Sequence, residues 1–190
     1  MRKYISVLFS VLIVAIVLAA VKPAIGANPI SSPVFIQEYL GQTDFIEGRL
    51  SQLLGAMSQD QMSWAPAEGV RNCGQIYLHV AEANHMLAGF MAGEEMKGER
   101  GAMEKSITDK DEIMKAMKKS FDAVREAAGK LAEEDLNKIV QTPFGMEMSI
   151  RNFMITLLSH SHEHLGQGIA YARMNGVTPP WSKEQENEGG

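Results

Sequence analysis

The sequence has a single cysteine, Cys73, among 190 residues, so no internal disulfide can staple the fold. Stability must come from a hydrophobic core, which a chain of this size can build unaided; there Cys73 reads as a small buried residue. Positive charge is also scarce. Residues 1–27 hold Arg2, Lys3 and Lys22 and no acid, which leaves the remainder with 15 basic and 23 acidic residues, a formal charge of −8. No basic stripe or patch is visible, and this excludes the electrostatic footprint of a nucleic-acid binder. A Gly-rich phosphate loop, a nucleophile elbow and an H-E-x-x-H motif are all missing, which removes the commonest signatures of nucleotide, serine-hydrolase and zinc-protease chemistry. There is no internal repeat at a fixed period, and strand-like alternation is scarce.

Long apolar runs are confined to one place. "MRKYISVLFSVLIVAIVLAAVKPAIGA", residues 1–27, has two cations, an apolar run and then small residues, the layout of a secretory signal peptide. The run from Tyr4 to Val21 approaches the roughly 20 residues that span a bilayer, so an uncleaved anchor is the second reading. Both place the rest of the chain outside the cytoplasm, in the periplasm or the extracellular space. Contact with the membrane is then expected only through an uncleaved N-terminus. Residues 28–34, opening on "NPISSP", read as a linker, and 182–190 as a disordered polar tail.

Between them, residues 35–181 carry four helical stretches. The first runs from about Val34 to Met57, with Phe35, Tyr39, Ile46, Leu50 and Leu54 near helical spacing. The second opens at "NCGQ", where Asn72 and Gln75 fit a capping box, and runs to about Gly93. "GEEMKGERGAMEKSIT" reads as a long charged connection. The third helix spans about Asp109 to Gly129, and an excursion with an extended turn around "TPFG" follows. The last starts at Ser149 and stops near Asn175, ahead of Gly176, Pro179 and Pro180. The expected class is all-α, a helical bundle.

Five histidines sit on two short segments, at 79, 85, 160, 162 and 164. At about 100° per residue, His160 and His164 share a face with Phe153, Leu157, Gly168 and Tyr171, while His162 points away. His79 lies on the apolar stripe of the second helix between Ile76 and Ala83, and His85 lies off it. Three imidazoles, from His79, His160 and His164, can therefore enter one bundle interior, where each has a donor and an acceptor to satisfy. A divalent metal would take one lone pair from each, and an i, i+4 pair with a third histidine is a recurring ligand pattern. Two blander readings stand beside it: histidines bonded to ordinary polar partners, and a solvated metal-scavenging "HSHEH" patch. Glu82 and Glu163 are turned aside by helical phase, so no catalytic residue is assigned. The methionines spread over three helices and read as core filling; "GEEMKGE" lacks the oxygen-ligand spacing of a calcium loop.

"WAPAEGVRNCGQIYLHVAEANHML" (64–87) and "TPFGMEMSIRNFMITLLSHSHEHLGQGIAYARMNGVTPP" (142–180) resemble the DinB-like family, with a histidine after a Trp-Pro-Gly-Val segment and H-x3-H followed by x-Gly-Gln. The resemblance implies a four-helix bundle with a long crossover and a divalent metal, zinc or nickel, on His79, His160 and His164. It departs at Leu165, where relatives often carry arginine. It also implies a metal-dependent enzyme of hydrolase or thiol-transferase type acting on a small molecule; the alternative is a non-enzymatic, metal-stapled binding module. A homodimer is a further expectation from the resemblance.

Overall fold

The structure is a computed structural model and describes residues 33–94, 99–142 and 144–182. The expected signal or anchor at 1–27, the expected linker up to residue 32 and the expected tail beyond residue 182 lie outside the described residues.

Helix α1, Val34–Ala56, buries Ile36, Tyr39, Thr43, Ile46, Leu50, Leu53 and Leu54, a stripe at three- and four-residue spacing. A single-turn 3₁₀ segment, Asp60–Ser63, leads towards α2, Cys73–Met91. The expected capping box is in place: the Asn72 side chain accepts from the Gln75 backbone N–H, and the Gln75 side chain accepts from that of Asn72. Helix α3, Ala102–Ser106, lies inside the stretch expected to be a loop. Five residues are too few for a hydrophobic period to show, which is why the pattern missed it. Helix α4, Lys110–Ala128, is capped by Asp109 and has Asp111 and Glu112 in its first turn and Arg125 in its last, all favourable to the helix dipole. A small hairpin, β1 Ile139–Gln141 and β2 Glu147–Ser149, pairs antiparallel with Ile139 opposite Ser149, where an extended turn was expected.

Helix α5, Ile150–Met174, is capped by Ser149. It ends in a Schellman motif: Val177 N–H donates to Ala172 O and Gly176 N–H to Arg173 O, with Gly176 at φ 75°. Trp181 then packs back on the core, with the Arg49 guanidinium 4.5 Å over its ring.

Two core clusters fix the helix directions. One joins the C-terminal half of α1 (Ile46, Leu50, Leu53), the starts of α2 and α4 (Ile76, Tyr77; Ile113, Met117) and the end of α5 (Leu165, Tyr171). The other joins the start of α1 (Ile36, Tyr39), the ends of α2 and α4 (Leu87, Met91; Val124, Ala128) and the start of α5 (Phe153, Leu157). So α1 and α5 point one way and α2 and α4 the other. Helix α2 packs on α4 and α5, and α1 on the same two helices. Because α2 and α4 are neighbours and parallel, residues 92–109 must return along the length of the bundle. That is the long crossover, and α3 rides on it. Cys73 is buried, as expected, and Met57, Met62, Met91, Met117 and Met154 fill core positions. No helix among the described residues is long and apolar enough to cross a membrane.

Candidate metal centre

The return path of the crossover decides what reaches the histidines. Glu82, on the outer side of α2, accepts from the backbone N–H groups of Gly101 and Met103, both at 2.7 Å. These are donors at the start of α3 that its own glycine cap, with no side chain, leaves unserved. Gln75 adds a longer bond from its side-chain amide to Glu104 O, 3.4 Å. Anchored at both ends, α3 turns the Glu104 side chain onto His79.

Helix α2 supplies His79 and helix α5 supplies His160 and His164. His79 Nε2 lies 3.1 Å from His160 Nε2, which lies 3.1 Å from His164 Nε2. Among the described residues these three form a group whose ligand atoms all lie within 4.8 Å of one another. Their rings pack at centroid distances of 4.5 to 5.0 Å. The three histidines assigned from helical phase are thus brought together. They are not fully enclosed: all three are partly exposed, His79 with 26% of its side chain, so the triad lies between α2 and α5 with an edge towards solvent. His162 is exposed, its Nδ1 3.0 Å from Leu158 O one turn back in the same helix. His85 is half-buried near Lys119 and takes no part in the group.

The outer nitrogens show which tautomers are present. Glu104 Oε1 is 3.0 Å from His79 Nδ1, and a carboxylate only accepts, so His79 carries its proton on Nδ1. Gln167 donates from its Nε2 to the Tyr171 hydroxyl at 3.1 Å, leaving its Oε1 to accept from His164 Nδ1–H at 2.8 Å. His160 Nδ1 is buried and has no partner among the described residues. Two histidines therefore aim Nε2 lone pairs at the Nε2 of the third. His160 can offer one N–H to one of them, so one 3.1 Å approach is left without a bridging proton.

Protonation does not settle the conflict easily. Burial, then the neighbouring His164 and His79 and the Arg71 charge, push the His160 pKa down to about 4. Burial and the Arg71 and His164 charges lower that of His79 as well, against the pull of Glu104. A divalent cation resolves what a proton does not. Two imidazole nitrogens each about 2.0–2.1 Å from one zinc ion, at a tetrahedral angle, stand roughly 3.3 Å apart, close to the spacing found. Neutral imidazoles with carboxylate or amide support on the outer nitrogen are the donor set expected of a transition-metal site. The residues fit a divalent ion.

Glu104 is the site residue that sequence reasoning missed. Nothing in "GAMEKS" marks it, because its role depends on where the crossover runs. Gln167 was visible as the glutamine of the x-Gly-Gln segment, three residues after His164, although its bond to the ring was not. Glu82, set aside on phase, stays away from the histidines and instead holds the turn that carries Glu104. Leu165, the noted departure from the resemblance, is buried in the core.

Comparison with known proteins agrees with this architecture. The family model described as the DinB superfamily matches residues 42–167. Among solved structures, a DinB-like protein from Bacillus cereus superposes with a TM-score of 0.65 at 23% identity, covering 76% of this chain and 95% of its own. The DinB-like protein YjoA from Bacillus subtilis gives 0.60 at 20% identity, covering 74% and 93%. YfiT from Bacillus subtilis, described as a probable metal-dependent hydrolase with an unusual four-helix bundle topology, gives 0.64 at 13% identity, covering 75% and 89%. At these identities the likeness establishes the fold. No curated protein matches the chain.

Proposed function

The chain belongs to the DinB superfamily, and on that footing we propose that it is a metal-dependent enzyme of the hydrolase or thiol-transferase type. It would hold one divalent ion, zinc or nickel, on His79, His160 and His164. The observation that carries this reading is the convergence of three Nε2 atoms, two of them on rings whose outer nitrogens are fixed by Glu104 and Gln167. When bound, such an ion supplies Lewis acidity, which turns a water or a thiol into a nucleophile near neutral pH. The protein's own contribution is placement. Glu104 orients His79 and makes it a better donor, Gln167 does the same for His164, and three protein ligands leave coordination positions for a small molecule reaching the exposed edge of the triad. The hydrolase option draws on what is said of YfiT. Export, read from residues 1–27, and a homodimeric state belong to the same proposal; an exported protein meets little of the cytosolic thiol pool, which favours hydrolysis.

One observation supports the alternative, a metal that staples α2 to α5 without turnover. Both oxygens of Glu104, the carboxylate in contact with the triad, are engaged, one by His79 and one by Arg71, so it is not free to act as a general base. Elemental analysis of the purified chain, with hydrolase and thiol-transferase panels run with and without chelator, separates the two. The enzyme reading expects one metal per chain and chelator-sensitive turnover. Stoichiometric metal without turnover leaves the staple, and metal content unchanged in His164→Ala defeats the triad itself.

A further inference from the structure

The second oxygen of Glu104 leads away from the histidines. Glu104 Oε2 accepts from Arg71 Nε at 2.8 Å while its Oε1 holds His79, so the guanidinium lies one carboxylate away from the triad. Arg71 sits just before the cap of α2, and 40% of its side chain is exposed, against 12% for Glu104. Only its Nε is engaged among the described residues, leaving the two terminal nitrogens of a planar fork beside the Glu104 carboxylate.

Charge balance gives this placement a consequence. The triad offers neutral imidazoles and no carboxylate. Arg71 and Glu104 cancel. A divalent ion on the histidines would leave this group of side chains with about two positive charges, and still one if the Glu82 carboxylate, spent on two backbone N–H groups, is counted in full. We infer that Arg71 is a substrate-positioning residue, and that the exposed edge of the triad takes small molecules bearing a carboxylate or phosphate, which the guanidinium fork holds while the rest of the molecule lies at the histidines. This deepens the metal-enzyme reading and rests on it. The shared chemistry is an oxyanion with two acceptor atoms, the shape an arginine fork matches bidentately and a lysine does not.

The test uses the full-length chain, loaded with zinc and checked by elemental analysis before any anion is added. Inorganic phosphate and acetate are then titrated in separate calorimetric experiments into wild type, Arg71→Ala, Arg71→Lys and Glu104→Gln. Wild type is expected to bind at least one of the two, and which one reports whether phosphate or carboxylate is preferred. At equal metal content Arg71→Ala should weaken that binding about tenfold or more and Arg71→Lys by a smaller factor. Glu104→Gln, which frees the fork and removes a negative charge, should leave anion affinity equal or raised while its zinc affinity drops about 10–100-fold. The opposed effects in Arg71→Ala and Glu104→Gln are what a purely structural ion pair would not produce. Equal anion affinity in Arg71→Ala and wild type, or no binding of either anion by zinc-loaded wild type, overturns the inference. A chain that takes up no zinc overturns the metal centre instead, and the elemental analysis shows which of the two has failed.

Discussion

At the residue scale the site is a problem in shared protons. Three imidazoles packed nitrogen to nitrogen are a poor arrangement without a cation, and the His160 pKa, pushed down to about 4, keeps the proton away over most of the useful pH range. This makes the metal-free protein sensitive to acid. In the unfolded chain the same imidazole titrates near 6.5, so between about pH 6.5 and 4 the unfolded state binds the proton and the folded state resists it. The stabilisation is complete above about 6.5 and is lost as pH falls towards 4, with His79 acting in the same direction. Thermal unfolding of chelator-treated protein should show the melting temperature dropping through that window. In His160→Leu the drop should be shallower, whereas an identical slope would mean that His160 titrates freely in the fold. His85, lowered by burial and Lys119, contributes equally to both proteins and cancels in the comparison. With metal bound, protons compete for the same lone pairs, so affinity in a fixed chelator buffer should fall with acid. Full occupancy at pH 5 would count against an all-histidine site.

At the scale of elements, the metal centre depends on a helix of five residues. Helix α3 has no hydrophobic stripe of its own and is held by the two bonds to Glu82, the bonds to Glu104 and the packing of Met103 on the core. Replacing Glu82 with alanine should release Gly101 and Met103, and hydrogen exchange should then quicken at those two amides while the core of α4 stays protected. Zinc affinity should drop as well, because Glu104 loses its seat. Asn72→Ala removes half of the capping box at a cost of about 1 kcal/mol, read as a melting temperature roughly 2–4 °C lower. Much at this scale was legible beforehand. The caps at Asn72, Asp109 and Ser149, and the stop at Gly176, are local chemistry, set by side chains within four residues of the backbone groups they serve. The triad was legible for the same reason, since phase along a helix fixes a face. Glu104 was not, because twenty-five residues separate it from His79 and only the path of the chain brings them together. Helical phase likewise fixes a face but not a depth, and the inward-facing histidines keep part of their surface exposed.

For the whole molecule, the triad spans α2 and α5, so any ion bound there stabilises the packing of the two. A ligand present at about a hundred times its dissociation constant adds about 2.7 kcal/mol to folding stability, which for a domain of this size raises the melting temperature by roughly 5–10 °C. Zinc should produce a rise of that order in wild type and none in His164→Ala. His162→Ala should respond like wild type, since that ring faces solvent. Equal shifts in all three would place the zinc somewhere other than the triad.

The parallel run of α2 and α4 also has a bearing on time. The ligands lie at residues 79, 160 and 164, and the carboxylate that steadies the first arrives at 104 on the returning crossover. During synthesis the ion therefore has no seat until the final helix has emerged and docked. By then the long loop closures, the slow part of building such a topology, lie behind the chain. Metal captured so late belongs to the native state and not to the transition state that precedes it. It should leave the refolding rate nearly unchanged and slow unfolding by most of the stability it adds. Stopped-flow refolding and unfolding with and without zinc would separate these two arms. The ion would then act as a latch on the finished bundle, long-lived once closed, rather than as a seed around which the bundle forms.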